Sequence, residues 1–235
     1  MYFSLITPAP GAEREAATQW AKGPYQQHQW LWQFLQAERG TERDFLFLRR
    51  EGEGNSPGLY VVSAREPQAI SPAWQVQSKV YAPRLQTGQH LAFQLRANPV
   101  VSHQVDGKSR RDDVVMNRKK KLVAEKGFVA WRDWPDSDPE KPQQYQLIQE
   151  TCTEWLLRRA ERCGFRLIND ENNQPRLRVD GYQQQRAHKK DIRFSSVDYS
   201  GVLEVVDIEL IRKALFEGIG HAKAFGCGLM LIRPV

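Results

Sequence analysis

Several features that would classify a chain at once are scarce or missing from these 235 residues. There are three cysteines, Cys152, Cys163 and Cys227, an odd number at no metal-ligand spacing. That excludes a disulfide framework and a structural zinc site, and it reads as reduced thiols in a cytoplasmic protein. No stretch approaches the roughly 20 apolar residues of a membrane-spanning helix. The N-terminus lacks a basic segment followed by a long apolar run, so no secretory signal is expected. Acidic residues do not gather: the only adjacent pairs are Asp112-Asp113 and Asp170-Glu171, both in polar stretches. A metal-dependent nuclease wants several converging carboxylates, so that class is disfavoured, and no metal or other cofactor is expected.

What is present is positive charge and a glycine-rich loop. The formal net charge is +6, with 34 Lys and Arg against 28 Asp and Glu. Such a balance favours a polyanionic partner, nucleic acid above all, over a merely solvated basic surface. Hydrophobic residues make up 40%, enough for a real core. Near the C-terminus, Gly218, Gly220, Gly226 and Gly228 surround Lys223, between a helical pattern and an apolar strand pattern. Glycine permits positive φ and close backbone approach, and clustered N–H donors beside a lysine suit a phosphate. The loop is no Walker A, which needs Gly-Lys-Ser/Thr opening a helix. Nor is it a dinucleotide fingerprint, in which strand precedes loop and helix follows. A tight helix-to-strand turn with a glycine cap explains the same residues, and the two readings are compatible.

Periodicity divides the chain into two similar halves. In the first, Tyr2 to Thr7 is a strand, a loop with Pro8, Pro10 and Gly11 follows, and Pro24 begins a helix reaching about Ala37. Phe45 to Arg50 and Leu59 to Ser63 form a hairpin, Glu66 to Ile70 a short helical turn, and Trp74 to Tyr81 an alternating strand. In the second, Leu91 to Arg96 is a strand and Ser102 to Lys121 a polar segment without apolar period. Glu140 to Arg162 holds a helix, and Phe165 to Ile168, Leu177 to Val179 and Val197 to Val206 are strands. Asp207 caps a helix bearing Ile208, Ile211 and Leu215 on one face, and Leu229 to Ile232 is the last strand. Both halves read β-α-β-β-α-β, so the expected fold is α+β with two tandem ferredoxin-like domains, residues 1–86 and 87–235.

Of five histidines, His28 stands out. It lies in the first turns of the Pro24 helix, with Tyr25 three residues before, Trp32 four after, and Leu31 and Leu35 on the same face. A histidine on an apolar stripe is ordinarily core; a helix N-terminus and a neighbouring tyrosine point instead to chemistry on an anion. His221 sits inside the glycine loop and is assigned no role. His90, His103 and His188 lack a partner pattern. Basic residues gather in three places of the second half. Arg110-Arg111 and Arg118, Lys119, Lys120 and Lys121 lie in the polar segment. Arg158 and Arg159 lie late in the long helix. Arg176, Arg178, Arg186, Lys189, Lys190 and Arg193 surround the second hairpin. Beside a glycine loop they suggest a nucleic-acid track, reading an RNA stem mainly by shape and phosphates.

Five segments then carry a resemblance. They are Met1 to Ser4, Tyr25 to Trp32, Arg43 to Phe47, Leu95-Arg96-Ala97-Asn98-Pro99, and the loop Gly218 to Gly228. Together, in this order, they resemble the CasE-type CRISPR endoribonucleases, subunits of the type I-E Cascade surveillance complex. The segments 100–142 and 169–191 match least. The resemblance implies two ferredoxin-like domains and metal-independent cleavage of a CRISPR repeat RNA at the base of its stem-loop. It also implies partnership with other Cascade subunits and a cytoplasmic setting. The family's catalytic histidine falls on His28, its tyrosine on Tyr25, and its RNA-binding glycine loop on Gly218 to Gly228 with Lys223. RNA supplies its own nucleophile, the 2′-OH, so the protein need only align it, handle a proton and neutralise charge. Two rivals remain: a non-catalytic RNA-binding subunit of the same architecture, and a nucleotide-binding enzyme using the glycine loop.

Overall fold

The computed structural model describes residues 1–20, 24–38, 40–50, 58–105, 107–187 and 192–235, and within them every side chain except those of Pro24, Tyr25, Arg50, Val105 and Ala187. The chain begins with strand β1 (Tyr2–Pro8) and helix α1 (Glu13–Trp20). Helix α2 (Pro24–Trp32) begins at a proline, which has no N–H to leave unpaired in a first turn. It tightens into a 3-10 turn, Gln33–Leu35, and ends at Gln36, whose φ of 45° is left-handed. Strands β2 (Phe45–Arg50), β3 (Gly58–Ser63) and β4 (Trp74–Val80) complete an antiparallel sheet of order β2-β3-β1-β4. Ile6, Phe45, Phe47, Leu59, Val61 and Trp74 on one face bury Leu31, Phe34 and Leu35 of the α2 segment. Each such side chain contributes about 1.5–3 kcal/mol when fully buried.

Two expectations for this half fail. No helical turn forms at 66–70, where Pro67 lacks an N–H and restricts Glu66 to extended backbone. Instead Gln68 N–H donates to the Phe34 carbonyl at 2.8 Å, tying an irregular crossover to the first helical layer. Conversely, α1 forms where a loop was expected; it buries only Ala16 and Trp20, one turn apart, so its apolar signal is faint.

The second half runs β5 (His90–Ala97), β6 (Val100–Val105), β7 (Lys108–Asp113), α3 (Val114–Glu125), α4 (Gln144–Ala160), β8 (Phe165–Leu167), β9 (Leu177–Ala187), β10 (Ile192–Val205), α5 (Ile208–Glu217) and β11 (Met230–Pro234). Its sheet has the order β11-β5-β10-β8, with β9 beside β10. With β5, β8, β10 and β11 counted as the four basic strands, the order matches that of the first half. Both are ferredoxin-like sheets. The polar segment 102–121 is not a loop: it holds the β6–β7 hairpin and most of α3. Asp113 caps α3 by accepting from Met116 N–H at 2.8 Å, and it also accepts from Tyr182 Oη at 2.9 Å and from Ser195 Oγ. One carboxylate thus fastens the β6–β7 hairpin to the β9–β10 hairpin. The strands β9 and β10 are much longer than expected, because their polar ends project beyond the core as a ribbon.

The two halves meet where Leu46, Leu48 and Val62 on the far face of the first sheet pack on Leu229. Among the described residues no helix is long and apolar enough to cross a membrane.

Candidate nucleic-acid interface and active site

His28 lies on α2 at the edge of the first core. Its ring stacks on Phe45, centroids 5.8 Å apart and planes 25° from parallel. One turn on, Trp32 Nε1–H donates to His28 Nε2 at 3.1 Å. The Arg65 guanidinium covers the Trp32 ring at 5.8 Å and is itself clamped by Asp44 through bonds of 2.9 and 2.7 Å. His28 Nδ1 is buried and has no hydrogen-bond partner among the described residues. Burial first, and the positive charge of Arg43 second, lower the imidazole from 6.5 to about 4. The ring is therefore neutral at pH 7. Tyr25 belongs to the same helix by its backbone, but its side chain lies outside the described residues.

The glycine loop comes to this helix from the other half. After α5, Gly218 takes φ 78°, and its N–H caps the helix on the Ala214 carbonyl at 2.9 Å. Gly220, Ala222, Gly226 and Gly228 also have positive φ. A Cβ on Gly218 would lie 2.8 Å from the Leu46 side chain, and one on Gly226 3.1 Å from Phe47. The glycines thus answer to close packing on β2 as well as to backbone conformation. Between them a 3-10 turn, Lys223–Phe225, packs against α2 and β2. Lys223 Nζ donates to the Glu217 carbonyl. Burial, then the nearby charge of Arg43, lowers its pKa. His221 is lowered by burial and by Arg111, Arg159 and Lys223. Arg43 acts electrostatically on both His28 and Lys223, and Lys223, Arg111 and Arg159 all act on His221. A phosphate entering between them would relieve their mutual repulsion.

Two grooves with an excess of basic over acidic side chains lie beside the β6–β7 hairpin, and only the first includes residues of this loop. The first, about 690 Å³, is lined by Arg111, Arg186, Arg193 and His221, with Phe194 stacked on Phe225 at 4.8 Å. The second, about 740 Å³, runs between α3 and α4 and is lined by Arg118, Lys121, Arg158, Arg159 and Arg162. Arg159 lies 4.3 Å over the Trp155 ring, which in turn lies against Gly220.

The sequence-predicted basic residues do not all gather here. Lys121, Arg158 and Arg193 line these grooves. Lys119 instead turns inward over Trp131 at 5.0 Å, and Lys120 is exposed and lines neither groove. Arg176 and Arg178 line a separate cleft between the two sheets. Arg96 faces that cleft as well, in a two-bond pair with Asp198 at 2.7 Å. Its backbone carbonyl nonetheless serves the loop, accepting from Gly228 N–H at 2.7 Å. Lys189 and Lys190 lie outside the described residues. Arg118, counted in the same basic run, also lines the second groove, on the helical face of Lys121 three residues on. Sequence reasoning gave no role to Arg43, Trp32 or Arg162, and the proximity of Arg43 to Lys223 had no signal in the sequence.

A family model described as CRISPR associated protein matches residues 1–234. The CRISPR system Cascade subunit CasE of Escherichia coli K12 is 27% identical over 223 residues, covering 93% of this chain and 96% of that one. The CRISPR-associated endoribonuclease Cse3 of Thermus thermophilus is 28% identical over 249 residues, covering 98% and 97%. The structure of Thermus thermophilus Cse3 bound to an RNA representing a pre-cleavage complex superposes with a TM-score of 0.71 at 26% identity, over 99% of both chains. The E. coli Cas6e structure, at 22% identity and a TM-score of 0.59, has the same fold.

Proposed function

The chain belongs to the CRISPR associated protein family, and from that premise we propose that it is the endoribonuclease that matures CRISPR RNA. It cleaves repeat RNA at the base of a stem-loop without a metal ion and remains on its product as a subunit of a Cascade-type complex in the cytoplasm, serving antiviral defence. The observation that carries this reading is that Arg43 acts on both His28, on the first half, and Lys223, in the glycine loop of the second half, which also carries the two basic grooves. We put the boundary between the halves at residue 86, in the stretch that joins β4 to β5.

The geometry supports the following roles. The grooves flanking the β6–β7 hairpin take the phosphates of the stem, and their charge gives strong binding at low salt. Arg43 and Lys223 take the scissile phosphate. The 2′-oxygen attacks phosphorus in line, the bond to O5′ breaks, and a 2′,3′-cyclic phosphate and a free 5′-OH result, with His28 assisting and Tyr25 orienting the scissile group. Product retention makes the enzyme close to single-turnover.

The test is incubation of a labelled repeat hairpin in EDTA with end-group analysis. A 2′,3′-cyclic end is expected from the natural protein. His28→Ala is expected to bind the hairpin nearly as well and to leave it uncut. A protein that shifts the hairpin on a gel and never cuts it is a binding subunit only, and full cleavage by His28→Ala removes His28 from the mechanism.

A further inference from the structure

Trp32 is more than a neighbour of His28 in the core. An indole N–H is a donor only, so the bond from Trp32 Nε1 to His28 Nε2 requires a lone pair on Nε2. The one remaining proton of a neutral imidazole then sits on Nδ1. That atom is buried, has no partner among the described residues, and is fixed in direction by the Phe45 stack on the ring. Leaving a donor buried and unpaired is costly, and such a cost persists where a bound partner will later satisfy the group.

Resting on the nuclease reading above, we infer that Trp32 is a positioning residue: it locks His28 in the Nδ1–H form, so that the ring acts as a neutral hydrogen-bond donor to an oxygen of the scissile phosphate. The ring keeps its proton throughout. The 2′-OH proton leaves to solvent as the 2′-O–P bond forms, and a solvent proton reaches O5′ as the P–O5′ bond breaks. The imidazole stabilises the charge that builds on phosphorus's oxygens between those events, as an oxyanion donor does. A neutral histidine acting as an electrophile is established chemistry elsewhere. The groups around the ring agree with this assignment. Arg43, ahead of β2, opposes a second positive charge, and Lys223 stands on the loop turn packed against α2. Arg65 stands over Trp32, with Asp44 clamped to it. An imidazolium would also turn an Nε2–H against the indole N–H, two donors facing each other.

The experiment combines 15N spectra of the histidine rings with single-turnover cleavage of a repeat hairpin as a function of pH. In the natural protein at neutral pH, His28 is expected to show a protonated Nδ1 and an acceptor Nε2. Cleavage is expected not to fall between pH 6 and 8, whereas an imidazolium acid would lose about tenfold per pH unit above its pKa. Trp32→Phe removes the lock and leaves an aromatic ring in place. It is expected to abolish the single-form signature, move the acidic limb of the pH profile upward and slow cleavage about tenfold with hairpin affinity unchanged. A protonated Nε2 in the natural protein overturns the inference, as does a Trp32→Phe protein that cuts at the natural rate with its tautomer unchanged. The spectrum of the natural protein decides the tautomer even if the variant fails to fold. If the natural protein never cuts RNA, the nuclease reading falls while the spectrum still reports on Trp32.

Discussion

The half-buried His28 should make the protein sensitive to mild acid in a way that can be assigned to one side chain. In the unfolded chain the imidazole titrates near 6.5, and in the folded protein near 4. Between those values the unfolded state binds a proton that the folded state does not, so stability falls as pH drops below 6.5 and the loss levels off below 4. The interval corresponds to about 3.4 kcal/mol at 1.36 kcal/mol per pH unit. The ring is only partly withdrawn from water, so solvent screening reduces this to about 2 kcal/mol. The perturbation is His28→Phe, which keeps a ring on Phe45 and cannot titrate. Urea unfolding of both proteins at pH 7.5 and pH 4 gives four stabilities. The two proteins need not be equally stable at pH 7.5, since the variant also loses the bond from Trp32; only the change in their difference matters. The natural protein is expected to lose about 2 kcal/mol more than the variant on acidification. Parallel losses would refute the argument, for they would mean that the folded protein accommodates the imidazolium and that burial beside Arg43 does not hold the ring neutral.

Gly218→Ala is expected to cost about 2–5 kcal/mol, about 1–3 from a backbone at φ 78° and ψ 158° that is essentially reserved for glycine and the rest from displacing Leu46. It should lower the melting temperature and slow cleavage together, because the same loop carries Lys223. Gly127→Ala, with φ 76° and open space around its Cβ, is the control: a positive-φ backbone cost with no displaced neighbour and no change in cleavage. Lys121→Gln combined with Arg158→Gln removes two cations from the α3–α4 groove. Hairpin affinity measured against salt should then show a shallower dependence, by about 0.9 in log–log slope for each phosphate that the protein no longer neutralises, while the rate of cleavage at saturating protein stays near the natural value.

The parts of this molecule that could be read from its residues are those in which one short stretch contains its own cause. The alternation of β4, the Pro24 start of α2, the Asp207 cap (accepting from Leu210 N–H at 2.9 Å) and the glycine exit from α5 all belong to this kind. So does the pairing of His28 with Trp32, one turn away on the same face. Helices α1 and α3 were missed for the opposite reason: each buries two or three small or spaced side chains, and charge covers the rest. The turn expected at 66–70 weighed a short run against Pro67, and the proline won. The basic residues show the limit most clearly. Lys119 and Lys121 are two apart on a helix, so they face different surroundings, one the Trp131 ring and the other the groove. No run of charge in a sequence distinguishes them.

The position of the site explains why the chain needs two copies of one sheet order. Each half has a separate core and could bury its own helices without the other. Yet neither half contains the chemistry. The first supplies a ring held by Trp32 and Phe45, with Arg43 beside it, but its described residues hold no basic groove like those beside the β6–β7 hairpin. The second supplies those grooves and a lysine on a tight turn. They are joined by an apolar contact, Leu46, Leu48 and Val62 against Leu229 with Phe3, Tyr60, Tyr81, Phe216 and Leu231 around them, and by glycines that let the loop lie directly on β2. In the second half the crossover from third to fourth strand is a well-capped helix ending in that loop. In the first half the corresponding crossover has lost its helix and lies against the 3-10 turn that follows α2. The asymmetry gives one sheet order two different exits: in the second half a glycine loop that lies on β2, in the first an irregular crossover held to the Phe34 carbonyl.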